Sequence, residues 1–128
     1  MGQYRRRLLL YCAAHDRTFE RVTARGQTVW QGKCIQCRRK VTIGLDGSPG
    51  CGTTLEHIVP RTHGGTNDVE NLAISCARCN SQKGRKLDIR RLDDPKLQAK
   101  IEFLRQTRSD RRRDPPADLI LPKMITPY

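Results

Sequence analysis

The sequence predicts an α+β fold, and two kinds of pattern support this prediction. Apolar runs at residues 55–59 and 71–75 have the length of short strands, and a helical composition begins after Cys79. Two Cys-x-x-Cys pairs, at residues 34–37 and 76–79, flank these runs. The chain has 128 residues, which suits one compact domain, and 36% of them are hydrophobic. A core this thin usually depends on a disulfide or a metal ion.

Local composition predicts the remaining elements of the first half. Leu8–Tyr11 and Thr18–Thr23 are predicted as strands, and Thr28–Gln31 as another short element. Residues 44–54 are dense in turn formers and predict a loop.

A helix is predicted near the end of the chain. Asp94 and Pro95 suit the N-cap and the first helical position. Leu97, Ile101 and Leu104 recur at helical spacing, so we expect one face of a helix over residues 95–107 to pack inward.

These elements suggest three segments. We expect residues 1–30 to form a basic N-terminal extension packed on the core, and residues 31–113 to form the main domain with its C-terminal helix. Residues 114–128 contain several prolines and predict an extended or disordered tail.

The charge distribution indicates a polyanionic partner. The formal net charge is +12, from 25 Lys and Arg against 13 Asp and Glu. Two basic flanks bracket a slightly acidic centre over residues 41–80, and most of the basic residues are arginine. The planar guanidinium binds phosphate oxygens in pairs, which favours nucleic acid over anionic lipid. A merely soluble basic protein is the alternative.

No apolar run approaches the roughly 20 residues of a membrane span, so we expect no membrane partner. Residues 5–14 imitate a secretion signal, but they run into His15 without a clean cleavage site. We therefore expect a cytoplasmic location, where reduced thiols favour a metal over a disulfide.

The cysteine pairs predict a structural zinc site. Both thiolates of one pair can bind the same cation, and two pairs complete a tetrahedron, here from Cys34, Cys37, Cys76 and Cys79. Such a site clamps the two ends of the intervening hairpin and supplies on the order of 10 kcal/mol to folding. A redox dithiol and unligated buried thiols are the alternatives.

Two further cysteines leave another arrangement open. Cys12 and His15 also have ligand-like spacing, and with Cys34 and Cys37 they would make a site of three thiolates and one imidazole. Cys51 has no obvious mate and is expected to be a free thiol.

The adjacent Glu56 and His57 combine the two functions that phosphodiester hydrolysis requires. An imidazole titrates near neutral pH and can deprotonate water, and a carboxylate or an amide oxygen is a hard ligand suited to Mg²⁺ or Mn²⁺. Neighbouring side chains on a strand point to opposite faces, so the two residues serve one site only if the strand bends or the metal lies at its rim.

An ordered motif extends from this pair towards the C-terminus. It consists of Glu56-His57-Ile58-Val59-Pro60, Gly64-Gly65, Asn71-Leu72, Cys76-x-x-Cys79-Asn80 and Lys83-Gly84. Together these elements closely resemble the HNH endonuclease family, with its ββα-metal fold. The resemblance implies a zinc-stabilised ββα-metal core between the N-terminal extension and the C-terminal helix.

The resemblance also implies roles for individual residues. His57 resembles the histidine that activates the attacking water, and Asn71 resembles the asparagine that holds the two hairpin strands in register. Asn80 stands where the family places a metal ligand at the start of the helix, and it is also a candidate N-cap. Glu56 stands at a second ligand position, where many relatives have Asp. The implied cofactors are structural Zn²⁺ and catalytic Mg²⁺ or Mn²⁺.

Basic side chains near the motif are candidates for contacts with the phosphate backbone of DNA. The candidates are Arg61, His63, Arg78, Lys83, Arg85 and Lys86. The resulting hypothesis is a metal-dependent DNA endonuclease with His57 as its general base. The alternatives are a non-catalytic zinc module that binds nucleic acid, and a nuclease that acts on RNA or on structured DNA.

Overall fold

The computed structural model describes residues 2–122, and it confirms a mixed α+β fold. The helices are α1 (Gly2–Ala14), α2 (Ala77–Lys83) and α3 (Pro95–Asp110), and the strands are β1 (Glu20–Ala24), β2 (Gln27–Lys33), β3 (Lys40–Gly44), β4 (Thr53–His57) and β5 (Leu72–Cys76). Short 3₁₀ turns cover Arg61–His63 and Val69–Asn71, and a π-helical turn covers Gly84–Asp88. The strands form an antiparallel three-stranded sheet, β1-β2-β3, and a separate hairpin, β4-β5.

Helix α1 replaces the strand predicted at Leu8–Tyr11, so that prediction was wrong. The segment Gly2–Ala14 contains no β-branched residue and is rich in Arg, Leu and Ala, which are good helix formers. Its second half is buried at almost every position, and this hides the spacing by which an amphipathic helix is recognised.

The three-stranded sheet depends on a tight turn and on a close packing contact. Strands β1 and β2 are joined by Arg25 and Gly26, which both have positive φ as a two-residue hairpin turn requires. The ring of Phe19 lies against Gly32 of β2. A Cβ atom added to Gly32 would come within 2.3 Å of that ring. Only glycine fits at that position.

The β4-β5 hairpin packs between two apolar clusters. Leu55, Leu72 and Ile74 face the cluster that includes α1, whereas Ala73 faces the cluster formed by α3. This is the alternation expected of a strand pair buried on both faces. The candidate site residues of this hairpin therefore lie between α1 and α3.

Helix α3 begins as predicted and extends beyond the predicted end, to Asp110. The Asp94 carboxylate accepts hydrogen bonds from the amide nitrogens of Lys96 at 2.9 Å and Leu97 at 3.3 Å. Leu97, Ile101 and Leu104 are buried, as their spacing predicted.

Two buried arginines near the end of α3 bind backbone carbonyl groups. Arg108 donates from Nε to the Leu72 carbonyl at 3.1 Å, and Arg111 donates from Nη1 to the Lys33 carbonyl at 2.8 Å. These two arginines hold the helix against the starts of β5 and of the loop after β2. The positive charges of both guanidinium groups are therefore engaged in contacts within the protein.

The C-terminal segment from residue 114 to residue 122 forms no helix or strand, but it packs on the rest of the protein. Leu119 and Leu121 contact the core cluster, and Asp118 pairs with Arg21 at 2.8 Å. The expected tail continues to residue 128, and its residues 123–128 lie outside the described part of the chain. None of the helices within residues 2–122 has the length and apolar character needed to cross a membrane.

The N-cap of α3 provides a test of local stability. We expect Asp94→Ala to lower the free energy of unfolding by about 1 kcal/mol, because two amide groups lose their acceptor. Urea denaturation measures this loss. Asp93→Ala is the matched control, since its carboxylate is 73% exposed and pairs with the exposed Arg91. Equal losses in the two variants would contradict the role of Asp94 as a cap.

Candidate active site and zinc site

The four predicted cysteines come together in one cluster. The sulfur atoms of Cys34, Cys37, Cys76 and Cys79 all lie within 4.8 Å of one another, and the Sγ atoms of Cys37 and Cys76 are 3.8 Å apart. Four sulfurs at about 2.3 Å from a zinc ion stand about 3.8 Å from each other. The cluster therefore has the donor set and the spacing of a structural zinc site.

Backbone groups around the cluster favour thiolates. The amide nitrogens of Gln36 and Cys76 donate to the sulfur of Cys34 at 3.4 and 3.2 Å, and that of Cys79 donates to the sulfur of Cys76 at 3.4 Å. A hydrogen bond from the backbone of Arg39 lowers the pKa of Cys37 to about 7, whereas burial raises the pKa of the Cys34 and Cys79 thiols. Such N–H donors stabilise negative sulfur and prepare the site for a cation.

The alternative site built from Cys12 and His15 is not formed. Within residues 2–122, the four-cysteine group is the one cluster of His, Cys, Asp or Glu side chains close enough to hold a metal ion. Cys12 is buried in the core on α1, and burial raises its thiol pKa to about 12. Cys51 is an exposed free thiol, as expected.

His57 lies at the end of β4 and is half-buried. Its Nε2 donates a hydrogen bond to the Oδ1 atom of Asn67 at 2.8 Å. Burial lowers the pKa of the His57 imidazole, and the nearby positive charges of Arg61 and Arg5 act in the same direction, whereas the Asn67 hydrogen bond opposes them. The lowered pKa favours the uncharged imidazole, which is the form that accepts a proton.

Asn71 ties the ends of the hairpin loop together. Its Oδ1 accepts from the Val59 nitrogen at 2.8 Å, and its Nδ2 donates to the carbonyls of Val59 at 3.1 Å and Thr66 at 2.9 Å. One side chain thus replaces the ladder hydrogen bonds just beyond His57. This fixes the backbone on both sides of the loop that carries Asn67.

Helix α2 runs along the edge of β4 that faces away from β5. Asn80 donates from Nδ2 to the Leu55 carbonyl at 3.2 Å, and Lys83 donates from Nζ to the His57 carbonyl at 3.1 Å. With the Asn80 nitrogen turned towards the strand, its amide oxygen is the atom that can face a cation. The N-cap of α2 is Cys76, so the prediction that Asn80 caps the helix was wrong.

Glu56 occupies the opposite face of β4 from His57, and it is fully buried. Its Oε1 accepts from the side-chain amide of Gln36 at 2.6 Å, whereas the nearby Ser75 hydroxyl donates to the Cys76 carbonyl at 3.1 Å. Its Oε2 has no hydrogen-bond partner, and burial raises the pKa of the carboxyl group. Strand β4 stays regular through His57, so no bend brings the two side chains to one face.

His57 and Asn80 line one open pocket of about 270 Å³, and Glu56 does not line it. Arg61, Thr62 and Asp88 complete its polar wall. The expectation that Glu56 and Asn80 face one open site is thus corrected, because strand alternation seals the Glu56 carboxylate behind the hairpin. The carboxylate on the pocket wall belongs to Asp88.

The predicted phosphate contacts divide into two groups. The prediction that Lys83 contacts phosphate was wrong. Its side chain is fully buried and pairs with Asp88 at 2.9 Å, so it cannot reach a phosphate. His63 is half-buried and bonds from Nε2 to the Asp88 carbonyl at 3.0 Å. The other four predicted phosphate contacts are exposed, and they are Arg61, Arg78, Arg85 and Lys86.

This geometry agrees with the comparison against known families. Residues 34–86 match the model of the HNH endonuclease family. The HNH segment begins at the first zinc-site cysteine and ends just beyond α2, so it includes both cysteine pairs, His57 and Asn80. No curated protein and no solved structure matches the chain.

The match supports a nuclease or nucleic-acid-binding role for the HNH segment, and the cysteine cluster supports a structural zinc ion. Helix α1 and strand β1 lie outside the segment, yet α1 packs directly on its hairpin. The environment of the HNH site therefore includes residues from outside the matched region.

Sequence reasoning missed two residues of the site. Asn67 bonds to the His57 ring, and Asp88 lines the pocket while it neutralises Lys83. Asn67 lies in a loop rich in small polar residues, where nothing in the local pattern distinguishes it from a turn former. Asp88 follows the family motif and is brought back to it by the π-helical turn after α2.

The zinc site predicts a strong dependence of folding on one thiol. We expect Cys34→Ser to reduce bound zinc well below one equivalent per chain and to destabilise the fold by several kcal/mol, because the cluster loses a buried ligand. Metal analysis and thermal unfolding measure the two effects. Cys51→Ser, at an exposed thiol, is the control and should keep full zinc content. Full zinc content in Cys34→Ser would argue against this ligand set.

Proposed function

We propose that this protein is a metal-dependent endonuclease that hydrolyses DNA phosphodiester bonds with His57 as its general base. The observation that supports this most directly is the shared pocket, in which the uncharged imidazole of His57 and the amide of Asn80 face the same open space. The match of residues 34–86 to the HNH endonuclease family gives that pairing a chemical context.

Two side chains on the wall of this pocket are suited to hold a divalent cation. The amide oxygen of Asn80 is turned away from β4, and the Asp88 carboxylate lines the same pocket. Glu56 is buried on the opposite face of β4 and does not line this pocket. Carboxylate and amide oxygens are hard ligands suited to Mg²⁺ or Mn²⁺. A bound Mg²⁺ or Mn²⁺ would supply positive charge to the phosphate and to the departing oxygen. Water and phosphate oxygens would complete its coordination, because only two protein ligands are implied.

The chain's own residues account for the proton transfer. His57 takes a proton from a water molecule, and the water oxygen attacks phosphorus in line with the bond to the 3′ oxygen. That bond breaks, the 3′ oxygen leaves with the electron pair, and it takes a proton from solvent water to become the hydroxyl group. By analogy with the family, the products carry 5′-phosphate and 3′-hydroxyl ends. Asn71 and Lys83 act as positioning residues, since they hold the backbone on the two sides of His57.

The basic surface supports nucleic acid as the substrate. Arg61, Arg78, Arg85 and Lys86 are exposed within or beside the HNH segment, and the net charge of the chain is +12. Guanidinium groups bind the phosphate backbone without reading sequence. We propose DNA as the substrate. Cleavage assays on RNA and on branched or nicked DNA would distinguish this activity from that of a nuclease that prefers RNA or structured DNA.

The role of His57 is tested by cleavage of plasmid DNA in the presence of Mg²⁺ or Mn²⁺. We expect His57→Ala to reduce cleavage at least about a hundredfold, because the water loses its base, and to leave DNA binding unchanged. Product gels and a binding titration measure the two effects. His15→Gln is the matched control, since His15 lies at the end of α1 and contacts Tyr11.

Three outcomes would contradict parts of this proposal. Equal loss of binding and cleavage in His57→Ala would reject the role as a base. Cleavage that continues without any added divalent ion, in zinc-loaded protein, would reject the second cation. Binding without cleavage under all conditions would leave a non-catalytic zinc module.

The phosphate contacts predict a salt dependence. The logarithm of the DNA affinity should fall linearly with the logarithm of salt concentration, with a slope of about −0.9 per phosphate contact. We expect Lys86→Ala to reduce that slope by about 0.9. Lys96→Ala, at an exposed lysine on the first turn of α3, is the charge-matched control. A slope that does not change with Lys86, or that changes equally with Lys96, would place the DNA elsewhere.

A further inference from the structure

We propose that Asn67 is a positioning residue that fixes the tautomer and orientation of His57, and that helix α1 holds Asn67 in place through Tyr4. The inference rests on the proposed function, because it names the ring nitrogen that acts as the base. It assigns a role in the site to a helix outside the segment that matches the HNH family.

The contact between Asn67 and His57 determines which nitrogen is protonated. The Oδ1 atom of Asn67 lies 2.8 Å from Nε2 of His57, and an amide oxygen can only accept a hydrogen bond. Nε2 therefore carries the hydrogen of the neutral ring. The lone pair is then on Nδ1, which becomes the atom that can take a proton from water.

The loop around Asn67 is held on both sides. Asn71 donates to the Thr66 carbonyl at 2.9 Å, and the Asp68 amide donates to the Thr66 hydroxyl at 3.3 Å. The backbone on either side of Asn67 is thus fixed by contacts that do not involve His57. These contacts leave the side-chain amide of Asn67 free to rotate.

Tyr4 contacts the other end of the Asn67 amide. The Nδ2 atom of Asn67 donates to the Tyr4 hydroxyl at 3.4 Å, and the Tyr4 ring packs against the apolar cluster that contains α1 and one face of the hairpin. Helix α1 is well anchored, since Leu8, Leu9 and Leu10 are buried in the same cluster. The hydroxyl group is therefore presented to Asn67 by a rigid element.

The opposite orientation of the amide would have the opposite chemical result. With its NH₂ group towards His57, Asn67 would donate to Nε2, and the hydrogen of the neutral ring would move to Nδ1. Both ring nitrogens would then be engaged or protonated, and neither could accept a proton from water. The Tyr4 hydroxyl can donate or accept a hydrogen bond, so it is compatible with both orientations of the Asn67 amide. The tautomer of the His57 ring is therefore the observable that distinguishes them.

The test combines NMR of the imidazole with cleavage kinetics on the zinc-loaded, full-length protein. Nitrogen-15 spectra, recorded at a pH where the ring is neutral and assigned with His57→Ala, report which nitrogen is protonated and how fast its hydrogen exchanges. We expect the wild-type protein to show a slowly exchanging hydrogen on Nε2. Protonation at Nδ1 in the wild-type protein would overturn the proposal.

Three variants separate the contributions. Asn67→Ala should lose the protected Nε2 hydrogen and reduce kcat at least about tenfold with little change in KM, because the ring is no longer held in the productive geometry. Asn67→Asp retains an acceptor oxygen and should restore the protected hydrogen. Asp68→Ala, at an exposed side chain of the same loop that makes no cap hydrogen bond, is the matched control and should behave as the wild-type protein in the NMR experiment.

The contribution of α1 is tested by Tyr4→Phe, which keeps the packed ring and removes only the hydroxyl group. We expect faster exchange of the Nε2 hydrogen and a smaller fall in kcat than in Asn67→Ala. Unchanged exchange and unchanged kcat would overturn the role of α1. A protein that shows the protected Nε2 hydrogen but does not cut nucleic acid would refute the proposed function while retaining Asn67 as the partner that sets the tautomer.

Discussion

The four-cysteine cluster is the constraint on which the rest of the structure depends. It joins the loop after β2 to the junction between β5 and α2, so one site connects the three-stranded sheet, the hairpin and the helix. Cys76 also caps α2 through its sulfur, which sets where that helix begins. The helix origin in turn determines that Asn80 and Lys83 lie opposite the carbonyls of β4. A zinc ion bound there would stabilise the geometry of the pocket as well as the fold.

Backbone carbonyl groups explain why so many basic side chains are internal. Lys83 binds the His57 carbonyl, while Arg108 and Arg111 bind carbonyls at the ends of two strands. Buried carbonyls without a donor cost free energy, and long cationic side chains can reach them from a neighbouring helix. The net charge of the chain therefore overstates the number of groups that can contact phosphate.

Local sequence patterns predicted the features that depend on neighbouring residues. The cap at Asp94, the apolar face of α3 and the paired cysteines are each encoded within a few positions, and all three agree with the structure. Helix α1 was predicted wrongly because burial on nearly all sides hides its periodicity. The separation of Glu56 from the pocket follows from strand alternation, but it could be decided only once β4 was known to be regular. The contact of Asn67 with His57 depends on the path of a loop, which no local pattern specifies.

Helix α2 has a further consequence for the behaviour of the chain in concentrated solution. A two-stranded sheet normally exposes unpaired edge groups that can recruit a strand from another molecule. Here the outer carbonyls of β4 are occupied by Asn80 and Lys83, so this edge cannot extend into a larger sheet. Because α2 begins at the cysteine cluster, release of the cluster would uncover an apolar hairpin with an open edge. A zinc ion that holds the cluster together would therefore also keep this edge covered.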